Sequence, residues 1–331
     1  MKRAGNLVPI ISDLNNLYSA YYKSSKHKKN KVEVVDYHLN LYQNLKELQI
    51  QILKGNIQVG NYHYFTIYDP KKRLICAAPF AERVLHHAIM NICHSYFEKY
   101  QISDSYATRI GKGTYKALKR AAHFNKQYRY YLKLDITKYF DSISHFKLKQ
   151  QLSNLFKDKV LLILLEKIIN SYQTVEGKGL PIGNLTSQYF ANHFLAGFDH
   201  FVKEKLLIKP YLRYMDDMVI WSDNFDELMN YYKEISGYLT NKLNLNLKPV
   251  IINKTEHGLS FLSYRLFCTH IELQQKSKKR FLQKIRKYIF NFESGNWSQM
   301  HFVRHIEPLQ SFVYHASSKG FRLKLNEEFR T

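Results

Sequence analysis

Cysteine is scarce in this chain of 331 residues: Cys76, Cys93 and Cys268 are the whole complement, too scattered for a Cys-x-x-Cys metal pair or a disulfide framework. A reducing, cytosolic setting is the expectation that follows. Long apolar runs are also missing. The longest, such as residues 160–165, stop well short of the roughly 18 residues a membrane span needs, so no membrane helix is expected. The opening stretch MKRAGN carries charge without an apolar segment behind it, and no secretory signal is read there. Acid is in short supply too, with 27 Asp and Glu against 50 Lys and Arg and a formal charge of +23, far beyond what solubility requires. A polyanionic partner is implied. The composition is otherwise that of a folded protein, 45% apolar, and 15% of the residues are aromatic, 26 of them Tyr. Aromatic faces among cations hold single-stranded nucleic acid by stacking and phosphate neutralisation, although tyrosines that simply pack in a basic protein would give the same count.

No internal repeat stands out, but the local pattern changes several times along the chain. Residues 1 to about 60 read as helical, interrupted by the basic stretch KSSKHKKNK at 23–31, either solvated or touching phosphate. A strand at 62–67, a turn through Asp69-Pro70 and a strand from Arg73 precede a helix over about 80–98. YYLKLDI at 130–136 alternates, with Leu132, Leu134 and Ile136 on the core face and Tyr131, Lys133 and Asp135 on the other. A helical stretch over about 145–172 follows, then a turn-rich segment in which Asn184 is a plausible N-cap of a helix with Phe190, Phe194, Phe198, Phe201 and Val202 on one stripe. YLRYMDDMVIWS at 211–222 reads as a β-hairpin with Asp216 and Asp217 at or near its tip. A helix over about 226–243, a β-hairpin around 251–267 and a basic helical tail from about 277 complete the order.

Two adjacent aspartates among Val, Ile and Trp are costly to keep charged unless a cation sits between them. A divalent metal meets that need. Two-metal phosphoryl transfer uses carboxylates to hold a pair of ions about 4 Å apart, one at the attacking hydroxyl and one at the leaving group. An Asp-Asp pair alone is weak, since such pairs also cap turns. Tyr214-Met215-Asp216-Asp217 between apolar arms, with Asp135 upstream on a strand, resembles the Tyr-x-Asp-Asp signature of reverse transcriptases with its partner aspartate.

The resemblance extends over roughly residues 1–320. DITKYFDSI at 135–143 is similar to the first catalytic motif of bacterial reverse transcriptases, and LPIGNLTSQ at 180–188 is similar to the next landmark in the form typical of diversity-generating retroelements. Most relatives carry Gln-Gly-x-x-x-Ser-Pro there, whereas this chain has Ile182 before Gly183 and Gln188 after Ser187. The resemblance implies an α+β, right-hand polymerase fold with fingers at 1–128, palm at 129–268 and a short helical thumb at 269–331. It implies RNA-directed DNA synthesis with Asp135, Asp216 and Asp217 as catalytic residues and metal ligands, helped by the Ile136 carbonyl, and two Mg²⁺ ions, with Mn²⁺ as an alternative. Phe140 would be the steric gate against a 2′-hydroxyl, its bland alternative being a core aromatic, while Asp141 could cap the following helix. Gly183 would let the backbone approach the nascent base pair. Ile182 replaces a polar residue beside the incoming nucleotide, and a site that packs without hydrogen bonding discriminates less, a physical route to error-prone copying. That the errors fall mainly opposite template adenines is what the resemblance to diversity-generating retroelements implies.

KRLICAAPFAERV at 72–84 and SYATRIGKGT at 105–114 resemble the finger motifs. Arg73 and Arg109 are the triphosphate candidates because a guanidinium fork matches phosphate oxygens; Lys72 and Lys112 are weaker, and a solvated surface charge or a template phosphate contact is equally open for each of the four. Lys248 and Lys254 bracket the place of a lysine suspected of protonating pyrophosphate. GLSFLSY at 258–264 resembles the primer-gripping turn, with Ser263 in place of the usual glycine. The basic run with Lys278, Lys279 and Arg280 would begin a thumb helix on the template–primer backbone. Further expected partners are template RNA, primer and cDNA, deoxynucleoside triphosphates, and a small basic oligomeric accessory protein, in the cytoplasm of a bacterium or as a phage product. No endonuclease, RNase H or integrase region is expected. A retron or phage-defence enzyme, or a silent RNA-binding scaffold of the same fold, are the competing readings.

Overall fold

The computed structural model describes residues 2–68 and 71–328; the turn residues Asp69 and Pro70 lie outside that description. Among the described residues, helices and three antiparallel sheets alternate, and the residues gather into two compact units. One holds the residues up to Thr108 with Ile136–Leu207 and Ile235–Lys248; the other holds Arg109–Asp135, Ile208–Glu234 and the residues from Pro249 on.

The first unit is built around the helix Phe80–Tyr100, whose Val84, Leu85, Ala88, Ile89, Cys93 and Phe97 are buried at i, i+4 spacing. Against it lies the helix Leu14–Ser25, which buries Leu17, Ala20, Tyr21 and Ser24 and is opened by Asp13 accepting from the Asn15 amide at 2.9 Å. Each buried Val, Leu, Ile or Phe among these contributes about 1.5–3 kcal/mol. Of the basic stretch 23–31, residues 23–25 are the helix's last turn and the remainder is an exposed connection. Strands β1 (His63–Ile67) and β2 (Arg73–Ala77) pair antiparallel as a two-stranded ribbon.

The helical stretch expected over about 145–172 is made of two helices, His145–Leu155 and Lys159–Asn170, the second started by Asp158, which accepts from the Leu161 amide. Ser144, not Asp141, caps the first of them, accepting from the Lys147 amide at 3.4 Å. The phenylalanine stripe is buried at Phe190, Phe194 and Phe198 with Val202, while Phe201 is only half-buried and stacks on Tyr238 at 4.5 Å. Asn184 stands at the expected N-cap of Leu185–Phe194, but its side chain makes no capping hydrogen bond. Its place is right and its chemistry is not.

The second unit is organised by a four-stranded antiparallel sheet in the order β4-β5-β3-β6, formed by β3 (Tyr130–Asp135), β4 (Tyr211–Tyr214), β5 (Asp217–Ser222) and β6 (Ile251–Lys254). Leu132, Leu134, Met218 and Ile220 are buried on one face as the alternation predicts, but Tyr131 and its register partner Trp221 are buried on the other. That face is therefore covered at one end: Phe124 of the helix Thr114–Gln127 packs 5.1 Å from Trp221, and Asn125 accepts from the indole nitrogen at 3.2 Å. Asn125 also donates to the Leu266 carbonyl at 2.9 Å, tying in a second sheet of β7 (Leu259–Phe261), β8 (Tyr264–Leu266) and β9 (Ile271–Leu273). The single hairpin expected at 251–267 is thus divided, since β6 pairs with β3 and β7 pairs with β8. The chain then runs through the helices Gln275–Glu293, Gln299–Tyr314 and Lys319–Glu328. Among the described residues no helix is long and apolar enough to cross a membrane.

Candidate active site

Tyr214 pairs with Asp217 across a two-residue turn made by Met215 and Asp216, so the hairpin tip carries one aspartate in the turn and the other as the first residue of β5. Met215 has φ 57°, the left-handed sense that lets a short hairpin follow the strand twist but that costs a residue with a Cβ about 1 kcal/mol or more. Arg213, fully buried on the sheet face opposite the aspartates, donates from Nη1 to the Met215 carbonyl at 3.0 Å. A buried guanidinium is retained only where it is well partnered, and here it braces the strained residue between Tyr214 and Asp216.

Asp135, the last residue of β3, is the register partner of Asp217, which by antiparallel geometry sets their Cα atoms about 4.5–5.5 Å apart on one face. Asp216, in the adjoining turn, adds its charge to that of this pair. Burial pushes the Asp217 carboxyl up to about 6; Lys133 opposes that rise, and Asp135 and Asp216 add to it by like-charge repulsion. The Lys133 ammonium is 3.3 Å from Asp217 Oδ2, while Asp217 Oδ1 is buried without a hydrogen-bond partner. Hard oxygen donors, excess negative charge and an orphaned buried carboxylate oxygen fit a hard divalent cation. Among the described residues no three or more His, Cys, Asp or Glu side chains form a ready-made metal cage.

In the first unit the motif at 180–188 is zipped to its neighbours through the backbone. The Leu180 amide donates to the Phe140 carbonyl at 2.9 Å, and the Cys76 amide of β2 donates to the Ile182 carbonyl at 2.8 Å. Gly183 has φ 121°, and a Cβ there would stand 2.9 Å from Ile75 Cγ2 and 3.2 Å from the Cys76 carbonyl oxygen. The close approach that demands glycine in this structure is to β2. Phe140, Ile182 and Gly183 are thus brought together, with Arg73 exposed at the start of the same β2 and Lys72 exposed just before it. Phe140 is half-buried, edge-on to Tyr139 at 5.9 Å, and Gln188 is exposed. Ile136 is fully buried and bridges to Leu247.

The remaining cations are dispersed. Arg109 and Lys112 flank a turn, the Lys112 amide donating to the Arg109 carbonyl at 3.3 Å, and Thr114 Oγ1 lies 3.1 Å from the Tyr214 hydroxyl, which anchors this motif on the aspartate hairpin. Lys112, Tyr115, Lys116, Ser263 and Phe312 line a cavity of about 680 Å³ beside the β7–β8 turn. Lys254 is the register partner of Tyr130, at the end of β3 remote from Asp135, and is paired with Glu256 at 3.3 Å. The structure does not bring it to the aspartates. Lys248 is half-buried in the loop before β6. Lys278, Lys279 and Arg280 are on the first turns of Gln275–Glu293, anchored by buried Ser277 and Phe281.

Two residues of this site were not singled out from sequence. Lys133 shares the strand face of Asp135, a fact the alternation carried, and Arg213 is a lone charge inside an apolar arm, the usual mark of a buried, partnered guanidinium.

The family described as reverse transcriptase (RNA-dependent DNA polymerase) matches residues 67–297, more than half of the chain and all of the aspartate site. The chain belongs to the reverse transcriptases. Telomerase without ligand from Candida tropicalis superposes on this reverse transcriptase with a TM-score of 0.52 at 13% identity, covering 68% of this chain and 50% of that one. Telomerase from the same organism in complex with a TWJ fragment of telomeric RNA gives 0.50 at 12% identity, over 86% and 58%. At these identities the likeness is one of fold, the α+β right-hand polymerase fold. An uncharacterized 91 kDa protein in a cob intron of Schizosaccharomyces pombe is 26% identical over 139 residues, 40% of this chain and 17% of that protein. The chain spans about half of the first telomerase and less than a fifth of the intron protein. Reverse transcriptases generally use divalent metal ions.

Proposed function

We propose that this chain is an RNA-directed DNA polymerase that makes error-prone cDNA from a template-repeat RNA, the diversity-generating branch of the family. The observation that carries the polymerase reading is the register pairing of Asp135 with Asp217 beside the Met215-Asp216 turn. Bound Mg²⁺ ions, two of them, with Mn²⁺ as an alternative, would supply charge neutralisation at the attacking 3′-hydroxyl and the leaving pyrophosphate. Asp135, Asp216 and Asp217 hold that charge in place, with the Ile136 carbonyl assisting, and substrate oxygens complete the coordination, as is usual for Mg²⁺. Catalysis is then mostly positioning and electrostatics. Arg73 and Arg109 grip the triphosphate. Phe140 rejects the 2′-hydroxyl by collision. Lys248 is favoured over Lys254 as proton donor, because Lys254 stands at the far end of its strand. Lys72, Lys112, Lys278, Lys279 and Arg280 neutralise template and primer phosphates.

The fingers, palm and thumb fall at 1–128, 129–268 and 269–331 in this reading, and the enzyme works in a reducing cytoplasm with a structured RNA and a small basic oligomeric accessory protein. The branch assignment rests on Ile182 and Gln188. An apolar side chain beside the nascent pair removes a hydrogen bond that would report a mismatch. Sequencing cDNA made by the purified protein, with cognate RNA and accessory protein, tests it. Errors concentrated opposite template adenines, reduced by Ile182→Gln, are expected; accurate copying by the unaltered enzyme would remove the diversity-generating assignment and leave a reverse transcriptase of retron or defence type.

A further inference from the structure

Lys133 occupies an unusual place for a lysine. It is in the interior strand of the four-stranded sheet, flanked by Val219 on β5 and Ile251 on β6, with a side chain only 19% exposed. An ammonium in such a place loses hydration and is kept only if its donors are used. Two are: Nζ donates to the Ser260 carbonyl at 2.8 Å and lies 3.3 Å from Asp217 Oδ2. It also sits 5.9 Å from the centre of the Phe261 ring. Ser260 and Phe261 belong to β7, and the turn that β7 makes with β8 is Leu262-Ser263, where both residues hold left-handed φ values of 46° and 75°. One ammonium therefore touches both the aspartate site and the strand that carries the β7–β8 turn.

We infer that Lys133 is a positioning residue that couples cation loading at Asp217 to the setting of the β7–β8 turn, within the segment 258–264 that resembles a primer-gripping turn. This rests on the reverse transcriptase reading of the aspartates. Without a divalent ion the ammonium is the counter-charge of Asp217 and holds its carboxylate in place. With an ion bound, attraction to Asp217 is offset by repulsion between two cations, and the Ser260 carbonyl becomes the better partner for the ammonium. The lysine then favours β7, so a loaded site and a set turn support one another, and by linkage the support is mutual. A lysine serving only to cover the ring of Phe261 would need no carboxylate partner.

The test compares the full-length protein with Lys133→Met and Lys133→Arg. Mn²⁺ binding is read by electron paramagnetic resonance at pH 8 without nucleic acid, and steady-state kinetics are then run on an RNA template with a DNA primer. Loss of the competing ammonium is expected to tighten Mn²⁺ binding by about three- to tenfold, the size of coupling between side chains in contact, and to raise the KM for primer–template by a similar factor. Lys133→Arg, which can still donate to both oxygens, is expected to restore both values, whereas misfolding would lower kcat and leave them alone. If either the Mn²⁺ affinity or the primer KM of Lys133→Met equals that of the unaltered protein, the coupling role is wrong. Asp217→Asn separates the two claims: if it too leaves Mn²⁺ binding unchanged, the aspartate site itself is misassigned.

Discussion

Asp135 and Asp217 are register partners on adjacent antiparallel strands, and their shared face also presents the ammonium of Lys133. The pairing turns residues far apart in sequence into one acidic centre. Its electrostatics are unfavourable without a cation, and that imbalance sets the pH behaviour.

Burial is the main reason that the Asp217 carboxyl is pushed up to about 6, from an ordinary value near 3.8. A folded-state value above the unfolded one favours the native state while the group is protonated. Its contribution is therefore full below pH 3.8 and is lost as pH rises through about 6. Divalent ions bind the ionised form, so they offset this loss only above that range. Thermal unfolding with Mg²⁺ and with chelator should accordingly show a gap that is small at pH 5 and wide at pH 8. A gap independent of pH would contradict the assignment of Asp217 as a ligand.

Phe140→Ala should admit ribonucleotides. One side-chain clash in a snug pocket commands about 10- to 200-fold in selectivity, and the ratio of deoxy- to ribonucleotide incorporation should fall by that order. If selectivity holds while the melting temperature drops, the ring is packing and nothing more.

Gly183→Ala should damage the first unit. The left-handed φ of 121° and contacts of 2.9 and 3.2 Å leave no room for a Cβ unless β2 moves. A loss of about 1–3 kcal/mol, measured by urea unfolding, is expected from strain and overpacking. Amide exchange at Cys76, whose N–H is held by the Ile182 carbonyl, should speed up with it.

Ser263→Gly should stabilise the protein. Ser263 holds φ 75° in a two-residue hairpin turn, a conformation that glycine adopts without the steric cost of about 1–2 kcal/mol. Glycine's extra unfolded-state entropy offsets part of this gain, so a rise in stability of up to about 1 kcal/mol is expected. A lower melting temperature would show that the hydroxyl has a role of its own.

The parts of the site that sequence made legible are those written in local period. Alternation at 130–136 puts Asp135 and Lys133 on one face, and two apolar arms around Asp216-Asp217 describe a hairpin. Long-range pairing was not legible. Nothing local says that β6 leaves its apparent hairpin to join β3, or that the Lys133 ammonium reaches the carbonyl of Ser260. Local rivals also misled: Ser144 caps the helix offered to Asp141, and Tyr131, on the polar phase of its strand, is buried because the helix Thr114–Gln127 covers that end of the sheet beside Trp221. Gly183 was recognised as a place where only glycine fits, yet the backbone it meets is that of β2, which lies a hundred residues upstream in another motif.

The most direct measurement is extension of a DNA primer on an RNA template by the purified chain, with Mg²⁺ and then with chelator, alongside Asp217→Asn. Synthesis that requires the metal and falls by several orders of magnitude in Asp217→Asn is the expected result, since residues that act as one unit fail together. Synthesis that persists at the unaltered rate in Asp217→Asn would contradict the account of the aspartate site.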